Sequence, residues 1–307
     1  MELRHLRYFV AVAEELHFTR AASRLGIGQP PLSQQIQQLE QELGLPLFRR
    51  LPRGVALTEA GQSFFDDARA ILAGVERASA QARRVARGEQ GRLRVGMINS
   101  APFHPFVPRV IREFGQRYPD VALAIDENST PTLAAAVLNN TADIAFVRPL
   151  LGDSAGLVTE PLFDEEVLVA LPQGHPLARF RTLSLWALAS ENFVLFPRLV
   201  GSGLYDDIIA ACRRSGFSPR VTQEASQVTS IVNLVAAGLG VSLVPASMQQ
   251  INSEGVTYRA IAGDAPSARM SLVYREGEDS PTVANMVALA RERVKRKRGM
   301  PSGHSSR

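Results

Sequence analysis

The sequence predicts an α+β protein of several parts: a helical N-terminal module closed by a small hairpin, one long solitary helix, and a two-lobed α/β domain. Three observations predict it. In the first 45 residues apolar side chains recur at helical spacing between the stops Gly26 and Gly44. Residues 58–88 contain no proline and one narrow apolar stripe. From Arg92 onward, strand-like apolar runs alternate with helical ones.

In chain order, Leu3, Leu6, Val10 and Ala13 mark a first helix. Thr19 is the expected N-cap of a second, over RAASRL, which Gly26 stops. A third helix lies in QPPLSQQIQQLE, where Leu32, Ile36, Leu39 and Leu43 form one apolar stripe. Pro30 or Pro31 suits its first position, where the N–H has no helical partner. LFRRLPRGVALT alternates around Pro52-Arg53-Gly54, a hairpin with Arg53 near its tip. Thr58 opens the long helix, whose stripe of Phe64, Ala68, Ile71 or Leu72, Val75, Ala78, Ala82 and Val85 needs a second helix to cover it. RGEQG at 87–91 reads as a hinge.

The remaining strands are RLRVGMI, VALAID, ADIAFV, EVLVALP, FVLF, GVSLVP and RMSLVY. Helical stretches such as LAAAVL, YDDIIAACRRS and SQVTSIVNLVAAG lie between them, so the sheets should be largely parallel. The expected bounds are 1–60 for the N-terminal module, 61–91 for linker helix and hinge, and 92–298 for the α/β domain. Its first lobe should take 92–162 and 268–298, its second 163–267, with a disordered tail over 299–307.

Composition is that of an ordinary globular chain, 45% hydrophobic and 21% charged over 307 residues. The formal charge of +4 misleads, because residues 291–307 hold seven Lys/Arg against one acid, which leaves the rest of the chain at −2. Any nucleic-acid reading must therefore come from pattern, not from net charge. MELRHLRYFVAVAEE has acids inside its apolar stretch and no small-residue cleavage site, and no apolar run is long enough for a bilayer, so a cytoplasmic protein with no membrane partner is expected. The single cysteine, Cys212, excludes an internal disulfide framework and sits at core-like spacing.

The third helix is unusual for its uncharged amides. Gln and Ser hydrogen-bond base edges, so a helix-turn-helix would use a face that a solvated surface would fill with charge. Arg49, Arg50 and Arg53 stand nearby for phosphate or minor-groove contact. A three-helix bundle with a Gln-rich surface has the same pattern.

MELRHLRYFVAVAEELHFTRAASRLGIGQPPLSQQIQQLEQELGLPLFRR, followed by LTEAG, resembles the DNA-binding region of the LysR-type transcriptional regulators, and NLVAAGLGVSLVP resembles a segment of their effector domain. The resemblance implies a winged helix-turn-helix, a dimerising linker helix, and a two-lobed effector domain like the periplasmic binding proteins. It implies DNA reading by Gln29, Pro30, Ser33 and Gln34, with Thr19, Arg49, Arg50 and Arg53 on the backbone or minor groove. Relatives with the PPLS motif commonly carry arginine where this chain has Gln34. It also implies double-stranded DNA as partner, a homodimer that assembles to a homotetramer, RNA polymerase as a further candidate partner, and a small-molecule effector in place of any cofactor.

Ligands of α/β sheets lie at strand carboxyl ends, where helix N-termini offer N–H groups to anions. Ser100, Ser129, Thr130 and Arg148 occupy such ends in the first lobe, and Phe196, Pro197, Arg198 and Thr229 comparable positions in the second. Together they suit a small anionic metabolite. Thr130 and Arg148 align with pocket positions of family members that sense aromatic acids. Ser129 and Thr130 would also serve as a helix cap, and Arg148 could instead pair with Asp126 or Asp143. As an enzyme the chain is poor: it lacks G-x-S-x-G, a P-loop, H-E-x-x-H and C-x-x-C, and His5, His17, His104, His175 and His304 have no metal-ligand spacing. A solute-binding transport component would share the α/β part but not the first 90 residues or the absent leader.

Overall fold

The computed structural model describes residues 1–149, 155–251 and 254–299. The expected disordered tail therefore lies outside the described residues, apart from Gly299, which ends a helix. The chain divides into two compact units, 1–84 and 85–307.

The first unit contains α1 (Leu3–Glu15), α2 (Phe18–Leu25), α3 (Gln29–Leu43), the antiparallel pair β1 (Phe48–Leu51) and β2 (Gly54–Leu57), and most of α4 (Glu59–Ala86). Leu6, Phe9, Val12, Leu32, Ile36, Leu39 and Leu47 form its core. Phe9 gathers Phe48 at 5.3 Å and Phe64 at 5.0 Å between ring centroids, so helix, hairpin and linker helix share one aromatic contact. Gly26 and Gly44 end α2 and α3 at φ 69° and 70°, a backbone that glycine adopts without strain.

Two local expectations change. α2 is capped by His17, whose Nδ1 accepts from the Thr19 N–H at 3.2 Å, so Thr19 lies inside the first turn. The helix starts two residues earlier than the hydroxyl suggests because an imidazole nitrogen serves as acceptor. In α3, Gly28 is the N-cap and Pro30 and Pro31 fill the second and third positions, where their missing N–H groups again cost nothing. The α4 stripe also divides. Ala68 is buried and Phe64, Phe65 and Leu72 pack on the core, whereas Ile71 and Val85 are 44% and 50% exposed.

The second unit runs β3 (Gln90–Met97), α5 (Phe106–Arg117), β4 (Asp120–Glu127), α6 (Thr130–Leu138), β5 (Ile144–Val147), β6 (Leu157–Phe163), β7 (Val167–Pro172), β8 (Thr182–Ser184), β9 (Asn192–Leu195) and α7 (Ser202–Arg214). It continues through β10 (Arg220–Glu224), α8 (Val228–Ala236), β11 (Ser242–Pro245), β12 (Val256–Ala262), β13 (Met270–Arg275) and α9 (Pro281–Gly299). One sheet has the order β4-β3-β5-β13-β6, a second β11-β7-β12-β8, and β9 pairs with β10. Each lobe has its own core, one around Leu93, Phe114, Phe146 and Leu272, the other around Val169, Leu195, Ile208 and Met248.

The sheets are mixed rather than largely parallel. β3 runs parallel to β4 and β5, but β13 is antiparallel to β5 and β6. The chain leaves the first lobe after β6 and re-enters as β13, and a strand arriving from the other lobe inserts in the opposite sense. The two crossing segments lie side by side, with Glu166 bridged to Ser267 and the Ala268 N–H donating to the Glu165 carbonyl at 2.8 Å.

The RGEQG stretch is bound down rather than free. Gly88, at φ +66°, sits so close to α9 that an added Cβ would lie 2.6 Å from the Pro281 carbonyl carbon, and Asn285 Nδ2 donates to the Arg87 carbonyl at 2.9 Å. Among the described residues no helix is long and apolar enough to cross a membrane.

Candidate nucleic-acid interface and ligand cavity

Helix α3 buries Leu32, Ile36 and Leu39 and leaves Gln29, Pro30, Gln34, Gln37 and Gln41 exposed, with Ser33 half-buried. The amides therefore divide by face. Gln35 Oε1 accepts from the buried His5 Nε2 at 3.2 Å, its Nε2 donates to Gln38 at 3.3 Å, and Gln38 donates to Glu42 at 3.4 Å. Because His5 Nδ1 accepts the Glu2 N–H, the ring proton sits on Nε2 and points to Gln35. Gln35 thus braces the helix against α1 and Gln38 is engaged within α3, whereas the outward glutamines keep their donors and acceptors for another partner.

Arg49, Arg50 and Arg53 are exposed on the β1–β2 hairpin, and among the described residues none has an acid within ion-pairing distance. The two arginines of α2 behave differently: Arg20 pairs with Glu15, and Arg24 with Glu14 at 2.7 Å. Thr19 is exposed near the start of α2. The expected DNA-facing residues thus share solvent-facing positions on α2, α3 and the hairpin. Guanidinium groups suit phosphates, and amides suit base edges.

In the second unit a cavity of about 40 Å³ lies between the lobes. Asn99, Ser100, Asn128, Ser129, Thr130 and Arg148 line its polar side. Phe196, Val200, Leu204, Val228, Ile231 and Val244 line its apolar side. The lobes are tied across it by Asn99 Nδ2, which donates to the Ser226 carbonyl at 2.8 Å, and by the Thr130 N–H, which donates to the Val200 carbonyl at 3.4 Å. Ser129 also caps α6, accepting from the Thr132 N–H at 3.4 Å, so capping and cavity lining coexist.

Arg148 is 3% exposed. Its Nη1 donates to the carbonyls of Ala268 and Arg269, its Nη2 to Ser100 Oγ at 3.3 Å and Glu165 Oε2 at 3.4 Å. Burial lowers the arginine's pKa and the Glu165 carboxylate works against that shift. The second Glu165 oxygen accepts the Ser247 N–H at 2.6 Å. Two buried atoms in the cavity wall, Arg148 Nε and Thr130 Oγ1, have no hydrogen-bond partner among the described residues. Buried polar atoms are rarely left so.

The internal acid of Arg148 is Glu165, not Asp126 or Asp143. Asp126 is exposed on β4, and Asp143 is held by Arg94, through its backbone N–H at 2.7 Å and its guanidinium. Of the second-lobe residues expected at the ligand, Phe196 lines the cavity, whereas Pro197, Arg198 and Thr229 do not. Arg198 turns outward into a two-bond pair with Asp206, both at 2.7 Å. The turn after Phe196 instead brings Val200 and Gly201 inward, and α8 presents Val228 and Ile231. Cys212 is fully buried in the second-lobe core, and burial pushes its thiol up to about 11.

Residues 3–62 match the family described as "Bacterial regulatory helix-turn-helix protein, lysR family", and residues 86–295 match "LysR substrate binding domain". The chain is 45% identical to the HTH-type transcriptional regulator YnfL of Escherichia coli K12, over 93% of this chain and 96% of that one. It is 43% identical to the HTH-type transcriptional regulator BudR of Raoultella terrigena, over 94% and 100%. Full-length CbnR, solved in complex with its target DNA, superposes with a TM-score of 0.81 at 29% identity, over 96% of this chain and all of that one. The matched proteins are transcriptional regulators, not enzymes.

Proposed function

Because this chain belongs to the LysR family of transcriptional regulators, we propose that it reads DNA with Gln29, Pro30, Ser33 and Gln34 on α3, and that a small carboxylate held between the lobes of its second unit alters that reading. Thr19, Arg49, Arg50 and Arg53 hold the phosphate backbone or minor groove. CbnR, a similar protein solved in complex with its target DNA, supports the DNA part.

The observation that carries the effector part is the buried pair of unpartnered atoms, Arg148 Nε and Thr130 Oγ1, in the wall of one cavity. A carboxylate oxygen accepts from both. Ser100 and Ser129 lie on the same side, and Phe196 and the apolar wall cover the remainder. A polar wall opposite an apolar one suits a small acid with an apolar body. The names of the relatives do not single out an aromatic effector.

Helix α4 supplies the dimer contact through its uncovered positions Ile71, Ala78, Ala82 and Val85, and two dimers make a tetramer. A half-covered helix of this kind is marginal alone and gains stability by pairing. The ligand acts by preferring one arrangement of the lobes, a coupling of typically about 1–3 kcal/mol. Thermal-shift measurements with sodium acetate and acetamide test the ligand class. Acetate should raise the melting temperature and its uncharged amide should not; equal responses would remove the anion from the reading.

A further inference from the structure

The hairpin that carries Arg49, Arg50 and Arg53 is two strands of four residues. A lone two-stranded hairpin is marginally stable in water, so its placement must be imposed from outside. One anchor is the cap of α1: the Val55 N–H donates to the Leu16 carbonyl at 3.0 Å, and Gly54 passes so close that a Cβ would lie 2.5 Å from that oxygen. The other anchor is on α3. A single oxygen, Glu40 Oε1, accepts the N–H of Leu47 at 2.7 Å and of Phe48 at 3.0 Å, the first residues of the hairpin arm.

Leu47 is fully buried and is held on its other side as well. Its carbonyl accepts the Thr58 N–H at 2.9 Å, and Gly61 of α4 crosses it so tightly that an added Cβ would lie 2.0 Å away. The arm leading into the hairpin is therefore fixed to α3 by its N–H groups and to α4 by its carbonyl. Glu40 is the only carboxylate in that set, and charge-assisted bonds to backbone N–H groups are the stronger kind.

We propose that Glu40 is a positioning residue for DNA binding: it sets the offset between the base-reading face of α3 and the three hairpin arginines, so that both reach the duplex together. This rests on the reading that those arginines touch phosphates. Glu40 itself does not meet DNA, and as an anion it would repel it. Its contribution is made through the Leu47 and Phe48 N–H groups.

The test uses the full chain and a random-sequence duplex, with affinity measured between roughly 50 and 200 mM salt, where the slope of log K against log salt counts phosphates neutralised. Arg53→Ala should flatten the slope by about 1. Glu40→Ala should flatten it at least as much, and adding Arg53→Ala to it should flatten it no further. Glu40→Gln keeps the accepting oxygen without the charge and should retain the wild-type slope. Where Glu40→Ala does not fold, Glu40→Asp, one methylene short of both N–H groups, carries the same expectation as the alanine variant. A wild-type slope in Glu40→Ala or Glu40→Asp beside a flattened one in Arg53→Ala overturns the role of Glu40 alone. So does Glu40→Gln behaving as Glu40→Ala, because that effect would come from charge and not from the two bonds. An unchanged slope in Arg53→Ala overturns the underlying reading of the hairpin, and Glu40's role with it.

Discussion

The Arg148 guanidinium lies 3.4 Å from the Glu165 carboxylate, with the two side chains 3% and 4% exposed. The pair joins the ligand cavity to the segment where the chain crosses between lobes, since Glu165 also accepts the Ser247 N–H and its carbonyl accepts that of Ala268. Removing one member leaves a buried charge without its counterpart. Arg148→Ala and Glu165→Ala should each lower the stability of the second unit by about 3–5 kcal/mol in equilibrium denaturation. A loss below about 1 kcal/mol would mean that water reaches the pair and that it braces nothing.

Thr130→Val is therefore the cleaner probe of the ligand. The Thr130 hydroxyl is buried without a partner, so exchanging it for a methyl should leave stability unchanged or slightly raised. Acetate affinity, read by calorimetry, should fall by about tenfold, the worth of one hydrogen bond to a charged group. Undiminished binding would put the carboxylate somewhere other than at Thr130.

On α3, Gln29→Ala and Ser33→Ala should each cost roughly 1–3 kcal/mol on a specific site while leaving random DNA nearly unaffected. Gln35→Ala should behave differently, because Gln35 is bonded to the buried His5: stability should drop along with all DNA binding. Gel-shift titrations beside thermal melts distinguish the two kinds of loss. Equal loss on both DNAs from Ser33→Ala would show that this helix does not read bases.

Along α4, neighbouring residues should part company. Ile71 is 44% exposed, so Ile71→Asp should yield a folded monomer by light scattering and lose two-site DNA binding. Leu72 packs against the core of the first unit, so Leu72→Asp should unfold that unit instead. A dimeric Ile71→Asp protein would place the interface elsewhere.

Acid tests a third relationship, that of Arg94 with Asp143. Burial pushes the Asp143 carboxyl up, but the bonds from the Arg94 side chain and backbone outweigh it and hold it below its ordinary value. A carboxylate depressed in the folded state contributes stability above its unfolded pKa, about 3.9, and loses it as pH falls through the folded value. Asp143→Asn should thus cost roughly 1–3 kcal/mol at neutral pH, and its difference from wild type should shrink below about pH 4. A difference that stays constant down to pH 2 would show that the ion pair contributes nothing.

Features written in local chemistry were legible in the sequence. The stops at Gly26 and Gly44 follow from their positive φ, and the stripe of Leu32, Ile36 and Leu39 follows from helical spacing. Ser100, Ser129, Thr130 and Phe196 could be placed at the cavity because strand ends are visible as period changes. What failed was non-local. β6, β10 and β12 were missed because their largely half-exposed or exposed residues show no clean alternation, and β8 because it is three residues long. The sense of β13 depends on a crossing between lobes, and the partner of Arg148 lies 17 residues away on a different lobe's approach, with nothing periodic to mark it. Arg198 and Thr229 fell outside the cavity because a loop's turn, unlike a helix's, has no period to extrapolate. The basic stretch 291–298 lies on α9, whose Arg293 pairs with Glu113 at 2.5 Å.

The burial of Cys212 has a practical side. It is the chain's one cysteine, fully enclosed, with its thiol raised to about 11, so almost no thiolate exists at neutral pH to attack a maleimide. The native chain is chemically silent toward such reagents. A cysteine introduced at a solvent-facing position, such as Leu199 at 84% exposure beside the cavity-lining Val200, would take up a dye alone. Lobe movement could then be followed optically in a protein from which no natural residue had first been deleted to clear the background.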